Sequence, residues 1–144
     1  MPIPNNQVTI GGQTNPFTTG LPILAYPIGA TPITASSGNV AAGAAVATLA
    51  KLATKTTYIT GFEITSSGAT VGLVVNPTVV GTITGTLTYV YTAVAGALLA
   101  NSPLIVIFNP PIPSSAVNTD IVVTLPSLGI GNTNACVVAH GYQL

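Results

Sequence analysis

Between residues 82 and 94, polar and apolar positions alternate. Thr82, Thr84, Thr86, Thr88 and Thr92 interleave with Ile83, Gly85, Leu87, Tyr89, Tyr91 and Ala93, and Val90 breaks the polar set once. A period of two carried by β-branched and aromatic residues predicts a half-buried strand. Residues 57–65 follow the same rule. Tyr58, Phe62 and Ile64 fall on one face, Thr57, Glu63 and Thr65 on the other, and Ile59 is out of phase. Three further runs, 104–108, 121–125 and 135–139, are apolar at nearly every position. An antiparallel sheet commonly leaves one face to water, so a strand apolar on both faces predicts cover on both. The opposite sheet supplies one cover, and a neighbouring subunit is expected to supply the other.

Turn signals separate these runs at short intervals: Ser36-Ser37-Gly38, Ser66-Ser67-Gly68, Asn76-Pro77, Asn109-Pro110-Pro111, Pro126-Ser127 and Gly129-Ile130-Gly131-Asn132. They bound expected strands near 44–49, 56–65, 70–75, 78–83, 85–94, 103–109, 119–125 and 134–142. Eight short strands suit the two four-stranded sheets of an antiparallel jelly-roll β-sandwich. The Ala-rich stretch 40–55 is ambiguous, since Lys51 and Lys55 have helical spacing. Gly43, Val46, Thr48 and Thr54 favour a strand there.

The first 36 residues differ. Six of the 12 prolines, Pro2, Pro4, Pro16, Pro22, Pro27 and Pro32, lie there. Each removes a backbone donor and pushes its predecessor towards extended geometry. An extended arm over 1–36 without a regular ladder is expected, followed by the β-sandwich over 37–144. The arm also carries Ile3, Val8, Ile10, Phe17, Leu21, Ile23, Leu24, Tyr26 and Ile28, more apolar residues than a disordered linker holds. It is therefore expected to lie on its own domain or on a neighbouring subunit.

Composition narrows the function. Charged residues are 3% of the chain, against about 25% in an ordinary soluble domain. The four are Lys51, Lys55, Glu63 and Asp120, with zero formal net charge. Little repulsion then holds copies apart, which favours assembly over a free monomer. Two Lys and no Arg cannot track a phosphate backbone, so nucleic acid is not an expected partner. The apolar stretch 40–50 is too short to span a membrane, and the N-terminus lacks the basic and apolar regions of a Sec signal. The single cysteine, Cys136, reads as a small buried apolar residue, because no intrachain disulfide can form.

Catalytic candidates are few. Cys136 and His140 are the one local pair, but four strand positions separate their side chains by about 13 Å, beyond the reach of a dyad. Glu63 and Asp120 lie far apart in sequence. Glu63 reads as solvated or Lys-paired, and Asn118-Thr119-Asp120 as a turn with too few oxygens for calcium. Zinc would need three or four ligands in one place. The Thr-rich face of 82–92 could order water, but β-propensity alone accounts for it. No enzymatic activity, cofactor or metal site is expected.

Several phrases carry a family likeness: Lys55-Thr56-Thr57-Tyr58-Ile59-Thr60-Gly61-Phe62-Glu63-Ile64-Thr65, Phe108-Asn109-Pro110-Pro111-Ile112-Pro113, and Gly131-Asn132-Thr133-Asn134-Ala135 leading to His140-Gly141-Tyr142. Over residues 37–144 the chain resembles small virion proteins of tailed bacteriophages that form trimeric jelly rolls, decorating heads or building fibre tips. The resemblance implies a homotrimer on the capsid surface, made in the host cytoplasm, with the major capsid protein or another virion protein as partner. The leading expectation is a capsid decoration or cement subunit. Phe17, Leu21, Ile23, Leu24 and Tyr26 would anchor the arm to the capsid. Leu104, Val106, Phe108, Val137 and Tyr142 would form the trimer interface. The alternative is a fibre-tip or adhesin-like module that binds host glycans, which predicts exposed aromatic residues in loops.

Overall fold

The computed structural model describes residues 7–10, 13–16, 26–96, 100–129 and 131–144. The described residues contain twelve strands and no helix. The chain divides between Ala30 and Thr31. In the first unit, β1 (Gln7–Ile10) and β2 (Gln13–Pro16) pair antiparallel, with Gln7 opposite Pro16. The second unit holds the other strands: β3 (Thr31–Ser36), β4 (Ala45–Leu49), β5 (Thr57–Ser67), β6 (Leu73–Val75), β7 (Thr78–Thr82), β8 (Gly85–Thr88), β9 (Tyr91–Ala93), β10 (Leu104–Pro113), β11 (Ile121–Leu125) and β12 (Asn134–Gln143).

Two four-stranded antiparallel sheets form the body, ordered β10-β5-β12-β3 and β4-β11-β7-β8. A short ribbon pairs β6 with β9. The sheets enclose one apolar core. Ala45, Ala47 and Leu49 from β4, Val79 from β7, and Ile121, Val123 and Leu125 from β11 meet Ile59, Phe62 and Ile64 from β5 and Ala135, Val137 and Ala139 from β12. Each of these side chains is buried, and on β4, β11 and most of β12 they alternate strictly with more exposed neighbours. The period of two is thus realised as an antiparallel β-sandwich.

Four differences from the sequence expectations have local causes. First, the expected ladder-free arm over 1–36 contains the β1–β2 pair, and its last six residues are β3, which pairs along the edge of β12 from Thr31↔Gln143 to Ser36↔Val138. Pro32 is tolerated because an edge strand can leave its outer side unpaired. Second, Asn109-Pro110-Pro111 does not end a strand. It bulges from β10 between Ile107↔Gly61 and Ile112↔Ile59, again on a sheet edge. Third, residues 82–94 are not one strand. Thr82 pairs with Gly85 across a tight turn whose Gly85 has φ +82°, and after Thr88 the chain leaves β7 to pair with β6. The threonines therefore share no single flat ladder.

The fourth difference is in β5. Between Gly61↔His140 and Ile59↔Gly141, β5 carries one residue more than β12. This β-bulge at Thr60-Gly61 resets the inward phase. Thr57 and Ile59 point inward before it, Phe62 and Ile64 after it, so Ile59 belongs to the core and Tyr58 does not. Glycine is required at the crossing. A Cβ on Gly61 would lie 2.5 Å from the Val106 carbonyl oxygen, and one on Gly141 would collide with the Tyr58 carbonyl. Outside the core, Tyr58 stacks on Tyr142 at 4.8 Å and 11°.

At the far end of β5, a buried polar cluster ties the loop after β9 to the sandwich. Tyr91 Oη and Ser66 Oγ are 2.8 Å apart, Asn101 Nδ2 donates to Ser66 Oγ at 2.6 Å, and Val94 N–H donates to Asn101 Oδ1 at 2.6 Å. These bonds satisfy groups whose burial would otherwise be costly.

Two stability predictions follow from the packing. Phe62 is buried and meets Tyr89 edge-on at 5.1 Å. Phe62→Ala should lower unfolding free energy by about 3–5 kcal/mol, read from urea titration. Burial raises the phenol pKa of Tyr89, Tyr91 and Tyr142 above the ordinary 10.0, with the Tyr91–Ser66 bond partly offsetting it and Tyr58 adding to it at Tyr142. Their stabilising contribution is full below pH 10 and is lost as pH rises past it. The urea midpoint should fall between pH 9 and 11.5, less steeply in Tyr91→Phe.

Candidate functional site: the outer face of the β10-β5-β12-β3 sheet

The outer face of this sheet is built in cross-strand rows. One row runs Ile105, Glu63, Val138 and Ser36, and the next Ile107, Gly61, His140 and Thr34. Gly61 presents no side chain, so the second row has a gap between Ile107 and His140. The gap is an open notch of about 300 Å³ lined by Thr60, Gly61, Phe62, Glu63, Ile105, Val106, Ile107 and His140. Beside it, Ile105 is 62% and Ile107 79% exposed. Both belong to β10, whose other long edge is unpaired in the sheet order.

The notch brings together the chain's single histidine and one of its two carboxylates. His140 Nε2 lies 3.2 Å from Glu63 Oε1, and each side chain is 44% exposed. When protonated, the imidazole completes a charge-assisted pair; when neutral, it leaves the carboxylate's charge unbalanced. Sequence reasoning assigned Glu63 to water or a lysine, and missed its partner. The phase of β5 puts Glu63 outward, but only the β5–β12 register puts His140 beside it.

The expected interface residues sit mostly on the other side of the same strands. Leu104, Val106 and Phe108 are half-buried and packed against the core, and Val137 is fully buried within it. Tyr142 is buried and stacked on Tyr58. Within the single chain these five side chains are therefore buried or half-buried. The outward apolar positions are their sequence neighbours Ile105, Ile107 and Val138, because alternation places only every second residue on that face. Of the expected arm anchors, Tyr26 is half-buried, and Phe17, Leu21, Ile23 and Leu24 lie outside the described residues.

The other candidate groups remain apart. Cys136 Sγ is 3.8 Å from Ser36 Oγ, and His140 pairs with Glu63, so the two have separate partners, in keeping with the expectation that they form no dyad. Asp120 Oδ1 accepts the Lys51 backbone N–H at 2.6 Å, which ties the end of β4 to the start of β11. Among the described residues, no three of His, Cys, Asp and Glu gather as a metal site would require. A second apolar surface lies at the β6–β9 ribbon, where Val71, Val74, Val90 and Val94 are exposed.

No protein-family model, curated protein or solved structure matches this chain.

The pair's strength is directly measurable. A double-mutant cycle with Glu63→Gln and His140→Gln should give a coupling of about 0.2–1 kcal/mol, as for other exposed ion pairs. Urea titration of the four proteins reads it.

Proposed function

We propose that the chain is a non-enzymatic structural subunit with a jelly-roll body, working as a trimer that decorates and cements the head of a tailed phage. The single observation that carries the assembly claim is the exposure of Ile105 and Ile107 beside the Gly61 notch. Large apolar side chains grouped on one outward sheet face mark an interaction surface. With only four formal charges in the chain, few charged groups oppose contact there.

The jelly-roll reading draws support from strand order. Strands β3, β12, β5 and β10 lie side by side in one sheet and β4, β11, β7 and β8 in the other, so the strands of the two sheets alternate along the chain except at the β7–β8 hairpin. Two interleaved Greek keys give such an order, with β6 and β9 as an inserted ribbon. The phage setting and the trimer rest on the family likeness of residues 37–144. The exposed ribbon at Val71 and Val74 offers a further surface, which suits a subunit that contacts both its own copies and another virion protein.

The fibre-tip alternative calls for aromatic residues displayed to solvent. Among the described residues, every Tyr and Phe side chain is buried or half-buried. The described surface therefore favours decoration over glycan binding.

Solution mass, measured with and without purified particles, tests the proposal. The wild-type chain should sediment as a trimer and bind particles. Ile107→Lys should shift it to monomer while keeping the β-type circular dichroism, because the side chain is exposed in the free fold. Deleting residues 1–30 should abolish particle binding and leave a folded trimer. A wild-type monomer that ignores particles refutes the reading.

A further inference from the structure

We propose that the tip formed by the β4–β5 connection and the loop before β11 is a surface through which the chain grips an acidic face of another virion protein. The inference rests on the decoration reading above and adds to it where the particle is touched and what chemistry it must offer there.

Both basic side chains of the protein sit at this tip. The chain has two Lys and no Arg, and the lysines bracket one short stretch, Lys51-Leu52-Ala53-Thr54-Lys55. Leu52 is 50% exposed between them, and Val117 on the facing loop is 55% exposed. Acids at the base of the tip do not take up the lysines. Asp120 Oδ1 accepts the Lys51 backbone N–H instead, and the Leu144 backbone pairs with that of Thr56. Among the described residues the one ion pair is His140–Glu63, so neither Asp120 nor the carboxyl of Leu144 holds an ammonium group.

The tip is also held in a costly shape. Lys55 N–H donates to the Leu52 carbonyl at 3.1 Å and closes a turn with Ala53 and Thr54 at its centre. Thr54 has φ +67°, a conformation in which a β-branched side chain is strained and glycine or asparagine is usual. On the facing loop Asn118 has φ +59°, and its N–H donates to the Lys55 carbonyl at 2.9 Å. Strain of this kind persists where the surroundings enforce it, and it gathers at binding surfaces. A turn fixed beforehand also loses little freedom on docking.

The complement of this tip is an apolar hollow rimmed by carboxylates. Leu52 fills the hollow, and the two ammonium groups set orientation and encounter rate. A nucleic acid is a poor match, because two lysines release few counterions. An anionic bilayer is a poorer match than a protein, because one leucine and one valine offer it little apolar area to bury. A folded acidic face matches a rigid tip of fixed spacing.

Binding of the full chain to purified particles, at about 50 and 500 mM salt, tests the proposal. The wild-type chain should bind at least about tenfold more weakly at the higher salt. Lys51→Gln/Lys55→Gln should bind at least about tenfold more weakly than wild type at the lower salt and show little salt dependence. Leu52→Ser should weaken binding and keep the salt dependence. Amidating the particles' carboxylates with carbodiimide and glycinamide should weaken the wild type and leave the double lysine variant unchanged. Each variant should sediment as wild type does, since the tip shares no residue with the Ile105 and Ile107 face. A double variant with wild-type affinity and salt slope overturns the choice of tip. Undiminished wild-type binding to amidated particles overturns the acidic partner. Lysine-dependent binding to phosphatidylserine vesicles as tight as that to particles overturns the protein partner. A variant with an altered sedimentation mass gives the tip to contacts between copies and also overturns the proposal. A wild-type chain that ignores particles overturns the decoration reading, and this proposal with it.

Discussion

The close backbone crossing at Gly61 is the constraint on which the rest of this molecule depends. Strand β5 is central to its sheet, paired with β10 on one side and β12 on the other. At Thr60-Gly61 it carries an extra residue, and the β10 backbone approaches so closely that a side chain there would strike the Val106 carbonyl. That local arrangement resets the inward phase of an eleven-residue strand. It lets Thr57 and Ile59 serve the core from one end and Phe62 and Ile64 from the other. Without the reset, one half of β5 would turn its apolar set to the outside, since a slip of one residue exchanges the two faces of a strand.

The same crossing shapes the outer surface. Glycine leaves the notch between Ile107 and His140, and the reset phase points Glu63 outward beside it. On the far side of the bulge, the outward position falls to Tyr58, which closes that end of the face by stacking on Tyr142. In the same row, the cross-strand partners of these two rings are Pro113 and Pro32. The face thus has a stiff aromatic and proline end and an open, apolar end with a titratable pair. Both ends arise from one backbone irregularity.

Much of this fold was legible in the sequence, and the failures were physically specific. Alternation and turn residues located β4 to β7 and β10 to β12 to within a few residues, because a core face needs an apolar side chain every second position, but they fused β8 and β9 into one strand. β3 was absorbed into the arm because Pro32 reads as a ladder breaker, and nothing in the sequence says that the strand will sit on an edge. The phase of β5 was misjudged at Tyr58 and Ile59. Gly61 was visible, but a glycine announces a bulge only when the strand that crosses it is known. The pairing of Glu63 with His140 was beyond reach for a related reason. It depends on the register between two strands 77 residues apart, which period-two reasoning leaves free.

The expectation of strands covered on both faces needs a finer form. The run 104–108 is apolar at every position, yet its two faces differ in kind. Leu104, Val106 and Phe108 pack against the core, and Ile105 and Ile107 are left largely exposed. In 135–139 the outward residues are Cys136 and Val138, both half-buried among their cross-strand neighbours. Apolar content on the outer face is therefore concentrated at the β10 edge rather than spread across the sheet. Edge strands normally guard against new partners with charges or inward lysines. β10 has neither, and its only irregularity is the proline bulge beyond Ile107. Pro110, Pro111 and Pro113 remove donors only beyond Ile107, where the Pro113 carbonyl accepts from Ile83 N–H, while the run 104–108 has no proline.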